Sequence, residues 1–156
     1  MTFVKIPKPP RRILICDDEV DILEMATQVL TSAGFDVTAV SGHAEFLRVF
    51  DEMPLPDLIL LDVRMPEHDG FWIAERVNAA AHIPIIFMTA HHCPKYELYA
   101  PTAGAVAYIR KPFDPEILVR EVKKALAPVL AKDAEFTQSP LNFRSATVSD
   151  VALTNE

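Results

Sequence analysis

Five short apolar runs recur along this chain, and the segments between them carry apolar residues at helical spacing. The runs are Ile13-Leu14-Ile15-Cys16, Val37 to Val40, Leu58-Ile59-Leu60-Leu61, Ile83 to Met88 and Val106 to Ile109. A strand with one wet face alternates apolar and polar residues, whereas a run without alternation is covered on both faces. From Asp21 onward Ile22, Leu23, Met25, Ala26, Val29 and Leu30 make the first helical stripe, which Gly34 stops. Ala44 to Phe50 and Phe71 to Ala80 follow, and Asp114 caps a last helix with Pro115 in its first turn and Ile117, Leu118, Val122, Leu126 and Val129 on its apolar side. Trp72 reads as the anchor of the third helix. This alternation predicts an α/β, doubly wound fold with five parallel strands. In such folds functional groups gather where the strands end.

The strand ends are polar. The first run stops at Asp17 and Asp18, the third at Asp62, the fourth at Thr89, and the fifth holds Tyr108 with Lys111 just beyond. Taken singly these are ordinary turn, cap or surface residues. Taken together, three carboxylates at one sheet edge raise one another's pKa unless a cation sits among them, and oxygen-only ligands suit Mg²⁺ or Mn²⁺. Asp18 and Asp62 would ligate directly and Asp17 through water. Lys111 supplies a point charge and Thr89 a hydroxyl, a set fitted to the charge of a transferring phosphoryl group with Asp62 as nucleophile. The product of that chemistry is an aspartyl phosphate.

Ile-Leu-Ile-Cys-Asp17-Asp18-Glu19, Leu60-Leu61-Asp62-Val63-Arg64-Met65-Pro66 with Asp69-Gly70, Met88-Thr89-Ala90, and Ala103-Gly104-Ala105 leading to Lys111-Pro112-Phe113 together resemble the receiver domain of two-component response regulators. The resemblance implies a flavodoxin-like sheet with strand order 2-1-3-4-5. It implies that Asp62 takes phosphate from a histidine kinase or histidine phosphotransfer protein, that Asp17, Asp18, Asp62 and the Arg64 backbone carbonyl serve Mg²⁺, and that the backbone of Val63, Arg64 and Ala90 contacts the phosphoryl group. Thr89 and Tyr108 would be the switch pair, remodelling the face of the fourth helix, fifth strand and fifth helix for a downstream protein target. Receivers often pair through that face, so a homodimer is among the partners the resemblance allows. The Lys111-Pro112 step resembles one that is often cis. The domain would not be an enzyme in the ordinary sense: it accepts phosphate, catalyses its own phosphorylation and slowly hydrolyses the product.

Beyond the motifs, residues 1–10 read as an arm, 11–130 as the receiver and 131–156 as a tail without an output domain. The tail holds Phe136, Leu141, Phe143, Val148, Val151 and Leu153, enough apolar residues for a docking segment, with a disordered tail as the favoured alternative. Residues 1–12 carry four cations and no acid, while 13–130 carry 9 basic and 18 acidic residues, a balance that repels DNA phosphates. Direct DNA binding is therefore not expected. Cys16 and Cys93 imply no disulfide framework, and no segment has membrane-spanning or signal-peptide length, so a cytoplasmic location is expected.

Arg64 and His91 occupy positions that tune the phosphorylated state in the family, with solvated loop side chains as the plain alternative. His91, His92 and Cys93 lack the spacing of zinc ligands. Pro101 falls where the fourth helix should finish, so that helix is expected to be short or mobile, with Tyr96 and Tyr99 packed beneath it or exposed for docking. A stand-alone receiver is the leading expectation; the alternatives are the N-terminal receiver of a larger transcriptional regulator, or an unphosphorylated docking module. An aspartyl-nucleophile phosphatase of the haloacid-dehalogenase kind is disfavoured, because Arg64 stands where its second Asp would be.

Overall fold

The apolar runs become strands and the amphipathic segments between them become helices, in strict alternation. In chain order they are β1 (Arg12–Cys16), α1 (Val20–Ser32), β2 (Asp36–Val40), α2 (His43–Glu52), β3 (Leu58–Asp62), α3 (Gly70–Ala80), β4 (Ile85–Thr89), α4 (Pro94–Tyr99), β5 (Ala105–Arg110), α5 (Pro115–Leu130) and β6 (Arg144–Ala146). This computed structural model describes residues 8–91, 93–130 and 144–146. The strands form one parallel sheet in the order β2-β1-β3-β4-β5-β6.

Successive residues of each central strand point to opposite faces, and both faces are covered. Leu14, Cys16, Ile59, Leu61 and Phe87 pack with Phe46, Phe71, Ile73 and Val77 on one side. Ile13, Ile15, Leu58 and Leu60 pack with Ala26, Leu30, Ile117, Leu118 and Val122 on the other. β3 and β4 are buried at every position, which is why their sequences show no alternation. The expected doubly wound architecture and the order 2-1-3-4-5 are both present.

Two boundaries depart from the sequence reading. The fourth strand begins at Ile85 and not at Ile83, because Pro84 has no N–H for the ladder, although its carbonyl accepts from the Ile59 amide at 3.0 Å. The five expected strands are joined by a sixth: Arg144–Ala146, within the expected tail, pairs in parallel with Ala107–Ile109. A three-residue segment has no period to read, and its pairing depends on the edge that β5 leaves open. The tail's apolar residues lie outside the described residues, as do His92 and positions 1–7 of the arm.

α4 is as short as expected, six residues from Pro94 to Tyr99. Its two tyrosines divide between the two alternatives. Tyr96 packs against the core beside Phe71, whereas Tyr99 is 41% exposed and its hydroxyl lies 3.3 Å from Glu75. Gly34 and Gly104 take positive φ, +96° and +87°, at the turns leading into β2 and β5.

Candidate functional site

The parallel register brings the ends of β1, β3, β4 and β5 to one edge, with Cys16 beside Leu61, Asp62 beside Met88 and Thr89 beside Arg110. Asp17 therefore follows β1 directly, Asp62 ends β3, Thr89 ends β4 and Lys111 follows β5. The Lys111 amide donates to the Thr89 carbonyl at 2.7 Å, and the Lys111–Pro112 bond is cis.

Three carboxylates converge there. Ligand atoms of Asp17, Asp18 and Asp62 all lie within 4.8 Å of one another; Asp17 and Asp62 are buried and Asp18 is exposed. Lys111 Nζ stands 2.6 Å from Asp17 Oδ2, 3.5 Å from Asp62 Oδ2 and 3.1 Å from Glu19 Oε1. Burial, then the negative charge of Asp17, pushes the Asp62 carboxyl up from 3.8 to about 7, against the opposing pull of Lys111. Burial also disfavours the Lys111 ammonium, but its hydrogen bond to Asp17 and the charges of Asp62 and Asp17 outweigh that and hold it above the ordinary lysine value. A hard cation fits this donor set: ligand atoms of three carboxylates lie within 4.8 Å of one another, and one ammonium does not balance their charge.

The remaining expected residues surround this cluster. The Arg64 amide lies 3.3 Å from Asp62 Oδ1, and the exposed Ala90 follows Thr89. The Val63 amide is taken by the Met88 carbonyl at 3.0 Å, so the backbone of Val63 is engaged in the ladder. The Thr89 hydroxyl accepts from the His91 amide at 3.1 Å, which turns it toward its own loop. Tyr108 is fully buried; burial, then the charge of Glu97, pushes its hydroxyl up to about 12, against the opposing pull of the Thr89 side chain. His91 is exposed, and Cys93 is a free thiol outside the cluster.

Sequence reasoning named Asp69-Gly70 as part of a motif but gave neither residue its role in holding the β3–α3 loop. Gly70 opens α3 because a Cβ there would collide with the Asp62 carbonyl oxygen, and its amide donates to the Val63 carbonyl at 2.8 Å. Asp69 caps α3 by accepting from the Trp72 amide at 2.9 Å. An Asp before a helical stripe was the available signal.

A doubly wound domain with a carboxylate cluster and a buried lysine at its strand ends defines a class of signalling switch. The chain belongs to the response regulator receiver domain family, which matches residues 13–123. It is 34% identical over 116 residues to the DNA-binding response regulator MtrA of Mycobacterium tuberculosis, a match covering 74% of this chain and 50% of that protein. Among solved structures, a CheY-like receiver from Methanospirillum hungatei superposes with a TM-score of 0.73 at 28% identity, covering 80% of this chain and 99% of that one. The chemotaxis response regulator CheY4 of Vibrio cholerae gives 0.71 at 28% identity, covering 75% and 99%. The chain spans about half the length of the MtrA proteins it matches. Among the described residues no helix is long and apolar enough to cross a membrane.

Proposed function

We propose that this receiver is a Mg²⁺-dependent phosphorylation switch whose acceptor is Asp62, charged by a histidine kinase or histidine phosphotransfer protein in the cytoplasm. One observation carries the reading: the buried Asp62 carboxylate shares its strand edge with two more carboxylates and a lysine ammonium 3.5 Å away.

Asp17, Asp18, Asp62 and the Arg64 carbonyl would hold the cation. When bound, Mg²⁺ offsets the charge of the carboxylates and of the incoming phosphoryl oxygens. An Asp62 oxygen forms a bond to phosphorus as the bond from phosphorus to the donor's histidine nitrogen breaks. The Lys111 ammonium would pair with a phosphoryl oxygen as well as with Asp62, and the amides of Arg64 and Ala90 would donate to others. The Thr89 hydroxyl leaves His91 and turns to the phosphoryl group. That movement, with Tyr108 beneath it, alters the α4–β5–α5 face for a downstream protein or a second copy of the chain. Attack of water on the same phosphorus returns the carboxylate, which makes the domain its own slow phosphatase.

Intact mass after incubation with acetyl phosphate and Mg²⁺ tests this reading. One added phosphoryl group, lost in Asp62→Asn and in EDTA, is the expected result. No gain with either acetyl phosphate or a phosphohistidine donor would favour an unphosphorylated docking module. The half-length match to MtrA supports a second reading of context, in which these residues are the receiver of a larger DNA-binding regulator; the acceptor chemistry is the same in both.

A further inference from the structure

The loop between β3 and α3, residues 63–69, carries the Arg64 carbonyl, and its far end is held by side chains that the phosphoryl chemistry does not use. Glu67 has φ +71°, the only positive φ of a non-glycine residue among those described. An L side chain adopts that conformation only when its surroundings hold it there. The Glu67 carboxylate lies 3.3 Å from His43 Nε2, on the first residue of α2. The His43 ring meets the His68 ring edge-on at 4.7 Å and the Trp72 ring edge-on at 5.8 Å. His68 in turn stacks on Trp72, with ring centroids 3.8 Å apart and planes 4° from parallel, and the Arg76 guanidinium lies 3.3 Å from the Trp72 centroid. The loop is thereby tied to α2 through His43–Glu67 and to α3 through His68–Trp72.

We propose that His43, Glu67, His68 and Trp72 form a clasp that positions the 63–69 loop, and with it the Arg64 carbonyl, for Mg²⁺. These are positioning residues: none joins the carboxylate cluster, and they act through the backbone between Asp62 and Gly70. Groups behind the ligands fix a ligand's direction before the cation arrives, and their loss weakens metal affinity without changing the ligand set. A carbonyl on a loop needs such support more than a carboxylate at a strand end. The inference rests on reading the cluster as a Mg²⁺ site.

The test is calorimetric titration of the full chain with MgCl₂, alongside the acetyl phosphate reaction rate as a function of Mg²⁺. His43→Ala and Glu67→Ala should each raise the Mg²⁺ Kd by roughly three- to tenfold. The double variant should cost no more than His43→Ala alone, which already removes the His43–Glu67 contact together with the ring contacts to His68 and Trp72. The maximal rate at saturating Mg²⁺ should stay within about twofold of the parent, because the Asp62 and Lys111 geometry is untouched. His43→Gln, whose amide can still donate to Glu67, should recover most of the affinity. Glu67→Gly guards against misfolding, since it relieves the positive φ while removing the carboxylate; it too should bind Mg²⁺ more weakly. An unchanged Kd in these variants, or a reduced maximal rate at unchanged Kd, overturns the clasp. Failure of the unmodified chain to bind Mg²⁺ overturns the clasp and the site reading together.

Discussion

Asp62 is an acid whose ionisation folding opposes. Burial and the neighbouring Asp17 move its carboxyl from 3.8 to about 7, so between those values the native state keeps a proton that the unfolded chain has released. Stability from this group is therefore full below about pH 4 and is lost as pH rises through about 7. Asp62→Asn removes that loss, so in EDTA at pH 8 the variant should melt about 3 °C or more above the parent, with the gap closing near pH 4. Thermal melts by circular dichroism check this; a variant melting lower at pH 8 would mean that the Lys111 contact at 3.5 Å outweighs desolvation. Lys111 opposes the shift, and its side chain is nearly enclosed, 5% exposed. Lys111→Ala should slow phosphorylation by acetyl phosphate at least about tenfold, since an uncompensated carboxylate cluster repels the anionic donor. A mass time course at saturating Mg²⁺ reads that loss directly.

At the scale of elements, what matters is how closely α3 approaches β3. Gly70 is buried, and a Cβ at that position would press on the Asp62 carbonyl oxygen and the Val63 backbone. Gly70→Ala should destabilise the domain by about 2 kcal/mol or more, because backbone cannot move aside as a side chain can. Urea unfolding measures it, and a neutral substitution would show that α3 can slide along the sheet. The same closeness explains why α3 begins where it does: Asp69 caps it and Gly70 alone permits the contact. α4 is different in kind. It has no fully buried residue, Leu98 is 80% exposed, and Pro101 follows its last turn, so its ring contacts are those of Tyr96 and Tyr99 with Phe71 of α3. A short helix with so little buried surface is the element most easily displaced, which suits the face assigned to signalling.

Over the whole molecule, the sheet is a receiver's five strands with one more on the open edge. β6 pairs with Ala107, Tyr108 and Ile109, so the residue at the centre of the proposed switch lies on the strand that the C-terminal segment covers. Truncation after residue 143 should speed hydrogen exchange at the amides of 107–109 that face β6 and leave β1 and β3 unchanged; equal protection in both forms would mean that β6 does not hold the edge in solution. The alternation of Ile13–Cys16, Leu58–Leu61 and the later apolar runs with amphipathic stripes was enough to define a doubly wound sheet, because burial on both faces leaves its mark on every residue of a strand. It also placed Asp17, Asp18, Asp62, Thr89 and Lys111 at one edge, since parallel strands all end on the same side. Tertiary structure alone decided the rest. The clasp from His43 to Trp72 joins residues of different elements that no period links, the burial of Tyr108 depends on what packs over it, and β6 exists only because β5 offered an edge. Local pattern records which face of an element is covered; contacts between distant segments depend on geometry that no single stretch of sequence contains.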